Sequence, residues 1–372
     1  MNRKIRILHL IAKWGRSNDL INEYIRSLDP DRFESILCSM DAGPKDGFKP
    51  EAYLLHSLGY SRESLQGFHP RVALDLKRLL LKQDIQILHC HKHRSVLYGV
   101  LAAVLSRKKD LKVIATIHSL RRSRTLNRRL TNRLLFPRIF KIIAVSEAVR
   151  QDVLRSNRFL EPEKIVVIHN GINLDRFPLR TGTGQRETWP VLGTVGRLVH
   201  TKGQIYLLKA FAKVMKTFPN ALLLFAGTGP LLKDLKREAE KLNIGSRVRF
   251  LGFQEDVSGF LRGIDLFILP SLAEGLTLSL LEAMATGIPV VASSVGGLPE
   301  IFDKVPFGRL VPPADADALL NAMLKFLSMG EKALRVMGIS ARTRVEEAFS
   351  LKKMAKDFEQ VYLGSGIAGR VL

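Results

Sequence analysis

The stretch DLFILPSLAEGLTLSLLEAMATGIPVVAS, residues 265–293, decides the fold class. It begins with an apolar run that a proline ends, which is typical of a buried strand. The turn-like SLAEG follows, and then TLSLLEAMATG, which has the length and apolar content of a buried helix closed by Gly287. PVVAS is a second short apolar run. A strand, a helix and a strand in this order predict a βαβ unit with parallel strands.

The same alternation of apolar runs and helix-length segments occupies the whole chain of 372 residues. One series contains IRILHLI, FESILCSM, IQILHCH, KVIATIH, KIIAVS and KIVVIHN, and a second contains VLGTVGRL, ALLLFAG, RVRFLG, DLFILP, PVVAS and GRLVPP. This alternation predicts an α/β protein, and because the length exceeds what one hydrophobic core normally serves, we predict two domains. It consists of two Rossmann-like, doubly wound domains that face a central cleft.

The domain boundaries follow from composition. We assign residues 1–170 to an N-terminal domain and 171–190, rich in Gly, Pro, Thr and charge, to a linker. Residues 191–349 form the second domain. In 350–372, LKKMAKDFEQVY predicts a last helix over 351–362 with Ser350 as its N-cap.

Cysteine content and hydropathy indicate a cytoplasmic protein. Cys38 and Cys90 are too few for a disulfide framework. The N-terminal apolar run is too short for a signal peptide, and the uncharged run 95–106 is too short to span a membrane. We expect a soluble protein, or one attached peripherally to the inner face of the membrane.

Positive charge is concentrated in the first half of the chain. The net charge is +23, and residues 107–141 carry 12 Lys and Arg against Asp110 alone. An anionic surface is the expected partner, and a solvated basic face is the alternative. Nucleic acid is disfavoured as a partner, because aromatic residues make up only 7% of the chain and no binding motif is present.

Two glutamates flank the start of the predicted helix. Glu274 precedes it and Glu282 lies one turn inside, and eight residues of helix rise about 12 Å, too far for an acid–base carboxylate pair. Thr277 is positioned to cap the helix, whose first N–H groups favour a phosphate. This pattern suits a ligand with a central diphosphate and a hydroxylated sugar at each end. Ordinary surface glutamates are the alternative.

Two cations follow the strand VLGTVGRL. Arg197 and Lys202 would leave the carboxyl end of that strand together and neutralise a diphosphate, or simply belong to a basic loop. GRLVHTKG is not a Walker A loop, since Lys precedes Gly. AGTGPLL is not a dinucleotide fingerprint, because Leu232 takes the place of the last Gly.

Histidines in the first half offer weaker signals. His118 closes the strand KVIATIH and would face the cleft, although a structural role is the commoner one for such a residue. In the run His89–His93, alternate residues of an extended chain cannot all converge on one ion without further ligands, so we predict no metal site. In the first loop, only Gly15 permits close approach of a ligand to the backbone.

Several motifs together resemble glycosyltransferase family 4. EGLTLSLLEAMATGIPVVAS followed by VGGLPE is similar to its E-x(7)-E signature. Six more segments of the chain are similar to landmarks of that family and occur in the right order: TVGRLVHTKG, LLLFAGTGP, VRFLGF, IAVSEAVR, VIHNGIN and EEAFSLKKMAKDFEQVY. The resemblance covers nearly the whole chain and is specific for the family but not for the substrate.

This resemblance implies a GT-B fold with an N-terminal acceptor domain, a C-terminal nucleotide-sugar donor domain and a last helix that crosses back to the N-terminal domain. It also implies a retaining hexosyltransferase that needs no metal or cofactor and uses a nucleotide diphosphate sugar. The implied diphosphate contacts are Arg197, Lys202 and the backbone of Gly275, Leu276, Thr277 and Leu278. Glu282 would bind the ribose and Glu274 the sugar hydroxyls, with His118 near the reacting sugar. Two departures stand out: a single glycine, Gly15, in the first loop, and Ser119 where the family pairs His with Asp.

The basic stretch suggests where the acceptor lies. Leu126, Leu130 and Leu134 recur every four residues among arginines, as in an interfacial amphipathic helix. The candidate contacts to a membrane or acceptor are Arg121, Arg122, Arg124, Arg128, Arg129 and Arg133. We therefore expect a glycan or glycolipid acceptor in cell-envelope polysaccharide or lipopolysaccharide biosynthesis. A sugar-nucleotide-binding or nucleic-acid-binding protein without transferase activity, and a hydrolase, are the alternatives.

Overall fold

The computed structural model describes residues 4–15, 19–44, 50, 52–120, 125–180, 189–302 and 307–364. These form two compact units. The first comprises Met1–His169 and Leu351–Leu372, and the second comprises Asn170–Ser350. The predicted linker, 171–190, falls at the start of the second unit, and its residues 181–188 lie outside the described residues.

A seven-stranded parallel sheet forms the centre of the first unit, in the order β3-β2-β1-β4-β5-β6-β7. Its strands are β1 (Ile5–Ile11), β2 (Phe33–Asp41), β3 (Leu54–Tyr60), β4 (Ile87–His91), β5 (Lys112–Ile117), β6 (Lys141–Ala144) and β7 (Ile165–Val167). Most are aliphatic runs buried on both faces, as parallel strands require. The largely exposed edge strand β3 was not among the predicted strands.

Helices cover this sheet and complete its core. They are α1 (Asp19–Arg26), α2 (Pro70–Lys82), α3 (Lys92–Ser106), α4 (Leu126–Leu135), α5 (Glu147–Ser156) and α13 (Leu351–Tyr362). The last of these has the predicted bounds and packs against α1, where Phe358 and Tyr362 join the core of the first unit.

The second unit repeats the plan with six parallel strands in the order β10-β9-β8-β11-β12-β13. They are β8 (Val191–Val195), β9 (Leu222–Ala226), β10 (Val248–Gly252), β11 (Leu266–Leu269), β12 (Val290–Ser293) and β13 (Gly308–Val311). The helices are α6 (Gln204–Val214), α7 (Leu232–Lys241), α8 (Val257–Arg262), α9 (Leu278–Ala285), α10 (Leu298–Ile301), α11 (Ala316–Ser328) and α12 (Gly330–Ala348). The predicted class of two Rossmann-like α/β domains is therefore confirmed.

Across the described residues, we find no helix with both the length and the apolar content of a membrane span.

A buried network of imidazoles and phenols lies in the first unit. The hydroxyl of Tyr24 on α1 lies 2.8 Å from Nδ1 of His9, 3.2 Å from Nδ1 of His89 and 3.3 Å from Nε2 of His91. A second phenol, that of Tyr362 on α13, lies 2.7 Å from Nδ1 of His89. Because one hydroxyl has one proton, Tyr24 donates to a single imidazole and can accept from two others. The last helix is thus hydrogen-bonded to the central strands.

Burial keeps these histidines neutral. It lowers the pKa of His9 from 6.5 to about 3 and holds the pKa values of His89 and His91 well below the ordinary value. The unfolded chain therefore binds protons between pH 6.5 and 3 that the folded chain does not. Stability is fully present above pH 6.5 and is lost as the pH falls towards 3.

We predict that His9→Gln makes the free energy of unfolding less dependent on pH. In this window each neutral histidine contributes a slope of about 1.4 kcal/mol per pH unit. Urea unfolding in a Trp189→Phe background, where Trp14 fluorescence reports on the first unit, measures the slope. The slope rather than the midpoint is decisive, since lost packing lowers stability at every pH. An unchanged slope in the variant would show that His9 does not contribute.

Candidate functional site

The strand order of the second unit points to one edge of its sheet. Strands β9 and β10 lie on one side of β8, and β11 to β13 lie on the other, so the order reverses between β8 and β11. Ligands of open α/β sheets bind at the carboxyl ends of strands at such a switch point. The loop after β8 carries Arg197 and Lys202, and the loop after β11 carries Glu274.

Glycines allow the backbones of these loops to approach one another closely. A Cβ on Gly229 would lie 2.3 Å from the carbonyl oxygen of Leu198, and one on Gly227 would lie 1.9 Å from that of Gly196. A Cβ on Gly203 would lie 2.0 Å from the carbonyl oxygen of Pro270. The loops after β8, β9 and β11 therefore touch through backbone atoms, which fixes the side chains that they carry.

An ion pair occupies the junction of two of these loops. Nζ of Lys202 lies 2.5 Å from Oε1 of Glu274, and the side chains are only 18% and 11% exposed. The hydroxyl of Ser271, which is fully buried, donates to the same oxygen at 2.6 Å. Sequence reasoning gave Lys202 and Glu274 separate tasks, but the structure brings them together.

The N-terminus of α9 lies next in the chain. Thr277 takes the N-cap position as predicted, but its side chain accepts no hydrogen bond from the helix backbone and lies 3.2 Å from the hydroxyl of Ser279 instead. The preceding loop is held by two bonds: the carbonyl of Gly275 accepts from the N–H of Gly297, and that of Leu276 accepts from Asn170. The first N–H groups of α9, from Leu278 onward, have no partner within the helix.

Arg197 and Glu282 complete the set of predicted donor contacts. Arg197 is exposed, and its guanidinium forms no ion pair with the described residues. Glu282 is half-buried on α9, a helix whose other side chains are mostly buried. Arg342 donates to the carbonyl of Ala285 at 2.7 Å and so fixes the far end of that helix. Arg197, Lys202, Glu274 and the start of α9 thus belong to one edge of one sheet.

The first unit holds the other predicted site residues. His118 is half-buried directly after β5, and its ring centroid lies 6.1 Å from that of His91. Gly15 follows Trp14, whose N–H donates to buried Asp41 at 2.9 Å, while Arg62 donates to the carbonyl of Trp14. A Cβ on Gly15 would meet nothing within 4 Å, so no described group approaches the backbone closely there.

Three histidines come within reach of one another, which sequence reasoning did not foresee. A ligand nitrogen of His9 on β1 lies within 4.8 Å of those of His89 and His91 on β4. The hydroxyl of Tyr24 lies within hydrogen-bond distance of all three. This arrangement is a neutral hydrogen-bonded network in the core.

The basic helix α4 has its leucines outside. Leu126, Leu130 and Leu134 are 70%, 55% and 66% exposed and form one stripe. Of the predicted arginines, Arg129 and Arg133 are exposed and Arg128 is half-buried, while Arg121, Arg122 and Arg124 lie outside the described residues. The helix is held from its other side by Asn132 and Leu135, which are buried.

Sequence reasoning missed the groups that orient these side chains. Ser271 and Asn170 each follow an apolar run that forms a strand. This position after a strand was the signal that could have identified them from the sequence. The contribution of His9 had no such signal, because it depends on the pairing of β1 with β4.

Comparisons with known proteins identify related sequences. The family model Glycosyl transferases group 1 matches residues 175–344, and the model Glycosyltransferase Family 4 matches residues 20–176. The chain is 26% identical over 310 residues to UDP-Gal:alpha-D-GlcNAc-diphosphoundecaprenol alpha-1,3-galactosyltransferase of Escherichia coli. The matched region covers 78% of each chain.

Solved structures share the fold. Sucrose-phosphate synthase from Thermosynechococcus elongatus matches with a TM-score of 0.82 and 23% identity, covering 98% of this chain and 100% of that one. Anabaena HepE in complex with UDP matches with a TM-score of 0.81 and 20% identity, covering 97% and 100%. These similarities confirm the predicted GT-B fold class.

We predict that Gly229→Ala destabilises the second unit by about 1–3 kcal/mol, because its Cβ would overlap the backbone of Leu198. Unfolding in a Trp14→Phe background, followed by Trp189 fluorescence, measures the effect. Gly245→Ala is the matched control, since a Cβ there meets only the flexible Glu240 side chain at 3.4 Å. Equal stability of the two variants would contradict the close-packed loop arrangement.

Proposed function

Because the chain belongs to glycosyltransferase family 4, we propose that it transfers a hexosyl group from a nucleotide diphosphate sugar to a glycan or glycolipid acceptor. The reaction retains anomeric configuration and needs neither metal nor cofactor. The observation that carries this proposal is that Arg197, the Lys202–Glu274 ion pair and the N-terminus of α9 follow strands β8 and β11 at one switch point.

Charge development explains why these groups are needed. As the nucleoside diphosphate leaves, negative charge grows on its β-phosphate oxygens, and the sugar gains oxocarbenium character. Arg197, Lys202 and the first N–H groups of α9 stabilise the phosphate charge and take the place of a metal ion. The backbone of Gly275, Leu276, Thr277 and Leu278 belongs to the same diphosphate site.

The carboxylates recognise hydroxyl groups at either side. Oε1 of Glu274 already accepts from Lys202 and Ser271, which leaves Oε2 for a hydroxyl of the sugar. Glu282 binds the ribose. We assign no protein nucleophile. His118 is proposed to orient the reacting sugar, and its position directly after β5 supports this role. Gly15 is proposed as part of the donor loop.

The acceptor is proposed to be membrane-borne, in the synthesis of a cell-envelope polysaccharide or lipopolysaccharide. The E. coli relative acts on a diphosphoundecaprenol-linked sugar by its name. In this chain, the exposed leucines of α4 stand among arginines, a combination that suits an anionic lipid surface. We therefore propose peripheral attachment to the inner face of the membrane through α4.

Binding of nucleotides tests the donor site. We expect one of UDP, GDP and ADP to raise the unfolding temperature of the second unit, because a ligand at 100 times its dissociation constant adds about 2.7 kcal/mol. Lys202→Ala should abolish the shift and lower turnover about 10²–10³-fold. Lys213→Ala, which breaks an exposed ion pair with Asp317 in the same unit, is the control.

Two results would count against the proposal. If none of the three nucleotides stabilises the chain, the donor is not a nucleotide diphosphate sugar with these bases. If a nucleotide binds but no sugar is transferred to any glycolipid acceptor, the chain is a sugar-nucleotide-binding protein without transferase activity.

Flotation with vesicles tests the membrane contact. We expect the protein to float with phosphatidylglycerol vesicles and not with phosphatidylcholine vesicles. Leu126→Ser/Leu130→Ser should weaken flotation at least about tenfold, since each buried leucine contributes about 1.5–3 kcal/mol. Leu74→Ser/Leu81→Ser, at exposed leucines of α2, is the control. Equal failure of the unmodified protein to float with both vesicle types would end this part of the proposal.

A further inference from the structure

The first unit has a switch point of its own. Strands β2 and β3 lie on one side of β1, and β4 to β7 lie on the other, so the order reverses between β1 and β4. Leu10 pairs with Cys90 near the carboxyl ends of these two strands. Helix α3 begins at Lys92, immediately after β4, so its N-terminus stands at the switch point.

Three polar atoms at the N-cap and in the first turn of this helix are buried without a hydrogen-bond partner in the described part of the chain. They are Nδ1 of His91, Nη1 of Arg94 and Oγ of Ser95. His91 is 1% exposed and Ser95 is 0% exposed. Leaving such a group unpaired costs about 1–3 kcal/mol, and native structures contain few of them. Three within five residues therefore form a cluster of polar atoms that a ligand would satisfy.

All three atoms can donate to an anion. Nδ1 of His91 donates in the tautomer whose Nε2 accepts the Tyr24 proton, which is the case in which Tyr24 accepts from His9 and His89. Arg94 is anchored through Nη2 to the carbonyl of Gln66 at 3.0 Å, which leaves Nη1 available. Because the Cα–Cβ bonds of a helix tilt towards its N-terminus, the side chain of Ser95 leans towards the end that carries the first backbone N–H groups.

The charge around the helix N-terminus is positive. Lys92 and Arg94 carry the formal charges of its first turn, which contains no acidic residue. Asp41, at the end of β2 on the same edge, already accepts from Trp14 and Gly43 and pairs with Arg62. The positive end of the helix dipole adds to this field.

We propose that the N-terminus of α3, with His91, Arg94 and Ser95, binds a phosphate or diphosphate group of the acceptor. This inference rests on the proposed function, since it specifies the chemical class of the acceptor. The ring of His118 lies 6.1 Å from that of His91, which places the site beside the residue proposed to orient the reacting sugar. The acceptor is then a phosphorylated sugar or a lipid-diphosphate-linked sugar.

Calorimetric titration with inorganic pyrophosphate tests the site without requiring transfer. We expect two binding sites on the full chain, one per unit. Arg197→Ala/Lys202→Ala should leave the site of the first unit, and Arg94→Gln/Ser95→Ala should leave that of the second. Combining all four changes should abolish binding.

Matched variants separate the site from general effects on folding and charge. Ser106→Ala removes a hydroxyl at the other end of α3, and Arg78→Gln removes an exposed guanidinium on α2. Both should keep two sites. Ser95→Ala alone, which removes only an oxygen, should weaken binding about tenfold if Arg94→Gln fails to fold. A single site that Arg197→Ala/Lys202→Ala abolishes, or two sites in Arg94→Gln/Ser95→Ala, would overturn the proposal.

Kinetics then identify the source of the phosphate. The ratio of kcat/KM for a polyprenyl-diphosphate-linked sugar to that for the octyl glycoside of the same sugar should fall about tenfold in Ser95→Ala. The KM for the acceptor should change more than the KM for the donor. If Ser95→Ala lowers kcat/KM only when a soluble sugar phosphate is the acceptor, the site binds a soluble acceptor. A change confined to the KM for the donor contradicts an acceptor site. Pyrophosphate binding without any transfer would refute the proposed function while leaving the anion site in place.

Discussion

The candidate donor site depends on backbone atoms that touch at distances only glycine permits. Gly227 and Gly229 meet the carbonyls of Gly196 and Leu198, and Gly203 meets that of Pro270. Three loops from β8, β9 and β11 therefore form one surface, and their side chains have little freedom to separate. The position of Arg197, Lys202 and Glu274 is a consequence of this contact, since the side chains themselves contribute one ion pair among the described residues.

That ion pair changes how the electrostatics of the site work. Lys202 and Glu274 neutralise each other, so attraction of a distant anion comes from Arg197 and the start of α9. At short range, an ammonium beside a carboxylate matches a ligand whose phosphate and hydroxyl groups are neighbours. A sugar phosphate has this arrangement, whereas inorganic phosphate has no sugar hydroxyl for Oε2 of Glu274 to bind.

Much of the fold could be predicted because buried parallel strands are near-continuous apolar runs. Every run identified in the sequence is a strand, and the last helix has the predicted bounds. Strand β3 escaped notice because Leu54–Tyr60 includes His56, Ser57 and Gly59 and is largely exposed at the sheet edge.

Contacts between distant residues could not be inferred from local patterns. The pairing of Lys202 with Glu274 joins residues 72 positions apart, and His9 joins the histidines of β4 only through strand pairing. The alternation of an extended run did not predict that His89 and His91 come within reach of each other and of His9, nor that the hydroxyl of Tyr24 on α1 is hydrogen-bonded to them. The N-cap position of Thr277 was predictable, whereas the preference of its hydroxyl for Ser279 was not.

The two switch points differ in what a ligand must replace. In the second unit, Lys202 and Glu274 satisfy each other, so an incoming diphosphate has to share a cation that is already paired. In the first unit, His91, Arg94 and Ser95 hold unpaired buried atoms, and their combined cost of several kcal/mol is a large part of a stability of about 5–15 kcal/mol. An anion at α3 would remove that cost without displacing a partner. In the two proposed sites, affinity at the first switch point would therefore come from satisfying desolvated donors, and selectivity at the second would come from exchanging one ion pair for a ligand that satisfies both of its members.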